Sequence, residues 1–416
     1  MRALGVICEF NPFHSGHAYL LSRMREEGGE DGCVICLMSG RFVQRGEPAV
    51  ADPYLRALTA RTGGADLVLE LPFPWSAAGA EHFAAAGVRT LARLGVEGLT
   101  FGSECGDATL LAQAAHAAEA PDFGEVYAAL CRRGGGTTAA YTEALRQVAS
   151  RGGHALPEGF PASNDLLGIA YLRALEQLRR ETGSAPEARV VSRLGSGYRE
   201  DSLTEGLYPS ATALRRLLRE SSCDPAALES ALRGRMPDGA LTVLLRFLEW
   251  GEFPLEGGRL LPFYHALYRL KNPSDMESFA EWSGGLAGHI CRHARETATP
   301  EDFFSALRTK QYTDARLRRA LLFGAVGVTE EDLRAMPAYT TLLAVSKRGR
   351  AYLKTWQKAD RDASDGFRVV TKPADAPVGR QRELSDLADG LFTLCFPTPV
   401  TAGDMYRRMP WIEGGE

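Results

Sequence analysis

The first hundred residues alternate between two periodicities, and no other feature narrows the possible folds as much. Ala3 to Cys8 is a continuous apolar run of strand length, and His17 to Arg25 then reads as a helix ending at Gly28-Gly29. Cys33 to Met38 is a second strand, and Asp52 to Arg61 a second helix stopped by Gly63-Gly64. Asp66 to Leu71 is a third strand, Gly79 to Leu94 a third helix, and Leu99 to Phe101 a fourth strand. Strands that are apolar throughout need cover on both faces, and the intervening helices supply it. The pattern therefore predicts βαβ units around a parallel sheet.

Further along, residues from Asp107 to Phe160 read as helical, with a break at Gly134-Gly135-Gly136, and are expected to insert between the fourth and fifth strands. Ser163 is the expected cap of a helix from Asp165 to about Arg180. Arg189 to Ser192 makes a fifth strand, and Ser210 opens a helix through Leu218. Beyond Asp224 amphipathic helical stretches dominate: Ala226 to Trp250, Phe263 to Leu270, Met276 to Thr297 and Phe303 to Phe323. A chain of 416 residues exceeds one ordinary core. The expected fold is α/β: a Rossmann-like parallel sheet of about five strands, followed by a mainly α-helical domain. Residues 1–223 would form the first domain, with a helical insertion at about 107–160, and residues 224–416 the second. The charged, Gly- and Pro-containing stretch Asp360 to Glu383 is the expected mobile loop.

Composition excludes rather than assigns. With 45% hydrophobic and 24% charged residues the chain reads as a soluble globular protein, and a net charge of -4 carries no global sign of nucleic-acid binding. No apolar run approaches the roughly 18 residues that span a bilayer. The run after Arg2 is interrupted at Glu9, unlike a signal peptide, so a cytoplasmic location is expected. Of the eight cysteines, Cys8, Cys33, Cys36 and Cys105 lie in or beside strand-like runs, as reduced buried thiols do. Cys33 and Cys36 have CxxC spacing, but residues three apart in a strand point to opposite faces and share neither a metal nor a disulfide.

In parallel α/β sheets ligands bind outside the carboxyl ends of the strands, and the unusual polar residues of this chain collect there. The sharpest group is His14-Ser15-Gly16-His17, directly after the first strand. Two imidazoles at a helix start present N–H donors where the helix dipole and free backbone N–H groups also attract an anion, and Gly16 leaves room for a phosphate. Two polar cap residues are the weaker alternative at this position, directly after the first strand of a parallel sheet. Ser210 and Thr212, with Arg215 one turn on, suit the outer phosphates of a nucleotide, or an ordinary cap with a surface arginine. From Arg308 to Lys358 there are eleven Lys or Arg against four Asp or Glu, a local net of +7. Arg316, Arg318, Arg319, Lys347, Arg348 and Arg350 are interleaved there with aromatic residues, which suits RNA phosphates and stacked bases, or a solvated helix face. His289 and His293 are spaced i, i+4, but no third ligand is near, and no metal site is assigned.

HxGH after strand one, with S-x-T-x-x-R after the last strand, resembles the HIGH-motif nucleotidyltransferases. The longer strings Glu9-Phe10-Asn11-Pro12-Phe13-His14-Ser15-Gly16-His17, Ser39-Gly40-Arg41-Phe42-Val43-Gln44-Arg45-Gly46-Glu47-Pro48-Ala49, Phe101-Gly102-Ser103-Glu104, Ser163-Asn164-Asp165 and Tyr208-Pro209-Ser210-Ala211-Thr212 resemble, within that superfamily, the tRNA(Met) cytidine acetate ligase family. The likeness spans essentially the whole chain. It is closest before Gly106 and thinner after Arg219, where the stretch Tyr312 to Leu322 matches.

The resemblance implies ATP-dependent activation of acetate and transfer of the acetyl group to N4 of the wobble cytidine of elongator tRNA(Met). It places ATP along Ile7, Cys8, Glu9, Phe10, Asn11, Pro12, Phe13, His14, Ser15, Gly16, His17, Ala18, Tyr19 and Leu20, with further contacts from Gly102, Asn164, Arg193 and Leu194. His14 and His17 would be catalytic, and Ser210, Thr212 and Arg215 would hold pyrophosphate. Ser39, Gly40, Gln44 and Arg45 would face acetate and the acceptor, and the basic residues above would meet the tRNA. Arg41 stands where the family often has Asn and receives no role. Magnesium is expected, bound through phosphate oxygens. No membrane or protein partner is expected. Two other readings stay open: a small-molecule adenylyltransferase, and a non-catalytic RNA-binding protein that keeps the fold.

Overall fold

The computed structural model describes residues 1–134, 136–193, 210–220, 224–360 and 366–414. Its first half contains β1 (Ala3–Cys8), α1 (Ser15–Gly28), β2 (Cys33–Ser39), α2 (Pro53–Thr62), β3 (Leu67–Leu71), α3 (Ala80–Arg93) and β4 (Gly98–Ser103). Then follow α4 (Ala108–Ala118), α5 (Phe123–Arg132), α6 (Thr137–Arg151), α7 (Ser163–Thr182), β5 (Glu187–Ser192) and α8 (Ala211–Glu220). The rest is α9 (Pro225–Leu232), α10 (Asp238–Glu249), α11 (Leu260–Leu270), α12 (Leu286–Glu296), α13 (Pro300–Leu307), α14 (Asp314–Val326), α15 (Glu330–Arg334), β6 (Tyr339–Val345), α16 (Lys347–Asp360), β7 (Arg368–Val370), α17 (Arg380–Thr393), α18 (Ala402–Tyr406) and β8 (Trp411–Ile412).

The five strands read from the sequence are present and mutually parallel, in the order β5-β4-β1-β2-β3. Side chains alternate across the pleat. Ala3, Cys33, Ile35, Leu37, Leu67 and Leu69 point into one core with α3, α4 and α7, whereas Leu4, Val34, Cys36, Met38 and Val68 point into another with α1 and α2. Cys33 and Cys36 therefore lie on opposite faces, and all seven cysteines among the described residues are free. Strand order reverses beside β1, which pairs with β2 on one side and β4 on the other. In open parallel sheets ligands bind at the carboxyl edge beside such a switch point.

The expectation of about five strands falls short: the sheet has eight. β6 runs antiparallel to β3, with Leu67 opposite Val345, while β7 and β8 both pair with β6. Every residue of β6 is buried, so the later half of the chain extends the sheet it was expected to leave. The sequence Tyr339-Thr340-Thr341-Leu342-Leu343-Ala344-Val345 stands alone among helices, with no neighbouring strand run to mark it, and β7 and β8 are three and two residues long. The expected mobile loop is also partly ordered, as β7 and the start of α17. Ser163 is the first helical residue of α7 rather than its cap. The cap is Ala162, whose N–H donates to the Asp165 carboxylate at 2.9 Å.

A third core joins α11 to α14, α17 and α18 with Phe42 and Phe73 from the carboxyl edge of the sheet. A fourth joins α8, α9 and α10 with Ala51 and Leu55. No described helix is long and apolar enough to cross a membrane.

Leu343 on β6 is fully buried in the core that contains Ala57 and Ala60 of α2. Leu343→Ala is expected to destabilise the chain by about 2–5 kcal/mol, read by denaturant unfolding. A loss below about 0.5 kcal/mol would mean that β6 is not integral to this core.

Candidate active site at the carboxyl edge of the sheet

The exits of β1 and β2 are held together by a side chain that the sequence reading passed over. Arg56, on the inward face of α2, is 1% exposed. Its guanidinium donates to the carbonyls of Glu9 (2.6 Å), Ser39 (3.0 Å), Ala51 (3.0 Å) and Gly40. Burial pulls it down to about 10, so it remains cationic at neutral pH. Asn11 adds a second tie, its Oδ1 accepting from Val50 N at 2.8 Å. Between these anchors Phe10 adopts φ 46°, a left-handed conformation uncommon outside glycine. The rings of Phe10 and Phe13 pack edge to face at 5.0 Å, and Phe10 also meets the His17 ring at 4.9 Å.

That turn delivers His14 to the N-cap of α1, and the two histidines close the cap reciprocally. Gly16 N donates to His14 Nδ1 at 3.1 Å, and His14 N donates to His17 Nδ1 at 3.3 Å. A ring nitrogen that accepts a backbone N–H carries its lone pair there, so the proton of each neutral ring lies on Nε2. The rings stack with centroids 3.6 Å apart. Burial first, then the charges of Arg193 and Arg215, pull His14 down to about 3. Burial, His14 and Arg193 likewise hold His17 well below the ordinary histidine value. Neither Nε2 bonds to a described protein group, and neither is sealed from solvent. The cap reading and the phosphate reading thus use different atoms of the same rings: Nδ1 caps, and two uncharged Nε2–H donors remain.

Around this pair the structure gathers much of what the sequence proposed. Arg215 Nη1 donates to Asn11 O at 2.9 Å, and its Nη2 to Thr212 Oγ1 at 3.1 Å. Ser210 caps α8, its Oγ accepting from Ala213 N at 3.1 Å. On the other flank Glu104, following β4, accepts from Asn164 N (3.0 Å), Asp165 N (3.1 Å) and Asn164 Nδ2, and lies 3.9 Å from Arg193. A Cβ on Gly102 would approach Arg193 Cγ to 3.3 Å, so the glycine lets that arginine lie along β4. Leu194 lies outside the described residues. Arg56 escaped the sequence reading, and Glu104, singled out there within Phe101-Gly102-Ser103-Glu104, received no role, because each acts on backbone or on another site residue.

Several assignments need correction by position. Within Ile7 to Leu20, the side chains of Ile7, Phe10 and Phe13 are core and shape the turn from beneath. Ser39 is fully buried with its carbonyl on Arg56, and a Cβ on Gly40 would collide with the Glu70 carboxylate, so neither offers a side chain to a ligand. Gln44 N donates to Glu9 Oε1 at 3.0 Å, and of the four loop residues only Arg45 is exposed. Arg41, given no role, forms a buried 2.8 Å ion pair with Asp389 that ties α17 to this loop.

The six basic residues do not form one patch. Arg316 and Arg319 are paired with Glu281, and Arg318 with Glu47 at 2.8 Å, all beside the 44–47 loop. Because β6 runs antiparallel to β3, Lys347, Arg348 and Arg350 follow its end at the opposite edge of the sheet. There Arg348 lies 3.9 Å from Asp66 and Arg350 donates to Glu413 O at 2.9 Å. His289 Nε2 bonds Leu307 O at 3.0 Å, and no group of three metal-binding side chains occurs among the described residues.

The chain belongs to the HIGH nucleotidyl transferase family, whose pattern matches residues 1–401. Within that family it falls among the tRNA(Met) cytidine acetate ligases. It is 32% identical to that enzyme of Acetivibrio thermocellus over 96% of each chain, and 34% identical to that of Syntrophotalea carbinolica over 87% of this chain and 84% of the relative. Among solved structures it is similar to apo TmcAL of Thermotoga maritima, with a TM-score of 0.86 and 29% identity over 99% of each chain. The form of that protein bound with alpha-thio ATP gives a TM-score of 0.84 at 28% identity, over 99% of this chain and 100% of the other.

The neutral state of the histidines has a direct consequence. Folding holds both rings below their free value, so their contribution to stability is present above about pH 6.5 and is lost as pH falls toward the depressed values. Imidazole 15N spectra are expected to show both rings as neutral Nε2–H tautomers down to about pH 5. An imidazolium signature for either ring at that pH would contradict this geometry.

Proposed function

We propose that the chain is an ATP-dependent ligase that activates acetate as acetyl-adenylate and acetylates N4 of the wobble cytidine of elongator tRNA(Met). The observation that carries the reading is the stacked pair of neutral Nε2–H donors at the N-terminus of α1, beside Arg193 and Arg215. Acetate is a poor acyl donor because its leaving group would be oxide. Attack of its carboxylate oxygen on the α-phosphorus of ATP releases pyrophosphate and converts the leaving group to AMP.

His14 and His17 donate to the charge growing on the α-phosphate oxygens. Being uncharged and locked by their caps, they need little reorganisation as the reaction proceeds. Thr212 and Arg215, with Ser210 at the helix cap, would receive the outer phosphates. Magnesium would be carried on the phosphates, where it screens their charge.

In this reading residues 1–223 carry the catalytic edge, and the tRNA-binding part lies within residues 224–416, apart from the strands β6 to β8 that complete the catalytic sheet. Arg45 and Arg318 border the cleft, while Lys347, Arg348 and Arg350 would meet a more distant part of the tRNA. The setting is the cytoplasm, where tRNA, ATP and acetate occur together.

Incubation with ATP, acetate and total bacterial tRNA is expected to yield N4-acetylcytidine by nucleoside mass analysis, and its absence would overturn the reading. His14→Ala should slow acetate-dependent pyrophosphate exchange by about a hundredfold or more. Undiminished exchange would remove the histidines from the chemistry.

A further inference from the structure

The transfer half of the reaction produces a proton, and the two histidines have nowhere to put it. Each neutral ring has one lone pair, on Nδ1, and both Nδ1 atoms already accept the backbone N–H groups that cap α1. Protonating either would break the cap, and burial beside Arg193 already opposes it. A base for the incoming amine must therefore come from the carboxylates of the same edge.

Most of these are committed. Glu104 accepts three hydrogen bonds at the start of α7. Asp165 accepts from Ser103 Oγ, Cys105 N and Ala162 N. Glu47 and Glu281 are paired with arginines of α14. Glu70 lies against Gly40 and lines, with Arg41 and Asp389, a cavity of about 30 Å³ to which neither histidine contributes.

Glu9 differs. It follows β1 immediately, between the histidine turn and the 44–47 loop, and only its Oε1 is used, by Gln44 N at 3.0 Å. Among the described residues no donor reaches Oε2, and that atom is not among the buried polar atoms lacking a partner, so it keeps access to solvent. Burial raises the carboxyl above its ordinary value, while the Gln44 N–H and the charges of Arg215, Arg45 and Arg56 hold it back. Cys8 and Tyr171 are the other titratable groups that face it.

We propose that Glu9 is the proton acceptor of the acetyl-transfer step, a role that rests on the acetate-ligase reading. The amine lone pair of N4 forms the C–N bond to the acetyl carbon, and the C–O bond to the phosphate breaks. AMP leaves with that electron pair and needs no proton. The N4 proton passes to Glu9 Oε2 and then to solvent. Gln44, whose N–H fixes Oε1, is the positioning residue for this base.

Glu9→Gln keeps an acceptor oxygen for Gln44 N and removes only the basicity. With full-length enzyme and tRNA, single-turnover acetylation from preformed acetyl-adenylate is expected to slow by about 100-fold or more. Acetate-dependent pyrophosphate exchange, measured at saturating ATP, should fall by a clearly smaller factor than transfer does, and an unchanged thermal unfolding midpoint reports a folded variant. The wild-type transfer rate should decline on acidification, and the variant should lose that dependence. Transfer within about threefold of wild type, or equal loss of both half-reactions, overturns the assignment. A wild-type enzyme without acetate-dependent exchange overturns it too, but by removing the ligase reading itself, so the two failures are told apart.

Discussion

One buried guanidinium organises the working edge of this protein. Arg56 gathers four main-chain carbonyls from the exits of β1 and β2 and from the entry to α2, where each would otherwise be buried without a donor. Hydrogen bonds from a charged donor are worth about 1.5–3 kcal/mol each, enough to hold a turn in which Phe10 takes an unfavourable φ. Because the chain leaves β1 along this fixed path, His14 reaches the N-cap of α1 while Glu9 reaches the loop after β2. The positions of the proposed catalytic groups are local consequences of that tie.

The cap and the chemistry are also one arrangement. Most helices spend a serine or aspartate at the N-cap; α1 spends two imidazole lone pairs and keeps two N–H groups pointing outward. Burial and the neighbouring arginine charges keep the stacked rings neutral, so in the proposed reaction a triphosphate would meet preorganised dipoles and the positive end of a helix. Arg193 and Arg215 add charge from β5 and α8, on opposite sides of the turn. Sites built this way stabilise charge well and accept protons poorly, and for that reason the proposed second half of the reaction calls on a separate carboxylate.

Much of this was legible in the residues, for reasons that differ by element. β1 to β5 announce themselves as apolar runs between amphipathic helices, and the His14–His17 spacing after β1 is chemically specific. β6 was illegible because two threonines and an isolated position hide a strand that only tertiary pairing with β3 makes necessary. Arg56 reads as one more basic residue on a helix until its inward face is known. The basic stretch divides in two for a geometric reason: residues close in sequence are carried to opposite edges of the sheet by one antiparallel strand. Periodicity reports local burial, and it is silent on which end of a sheet a helix will occupy.

The central claim is that the two histidines serve attack at the α-phosphorus by a carboxylate, and oxygen transfer reads that directly. With doubly 18O-labelled acetate, ATP and tRNA, the account predicts AMP carrying one 18O atom and pyrophosphate carrying none. Unlabelled AMP, or label appearing in pyrophosphate or inorganic phosphate, would contradict it.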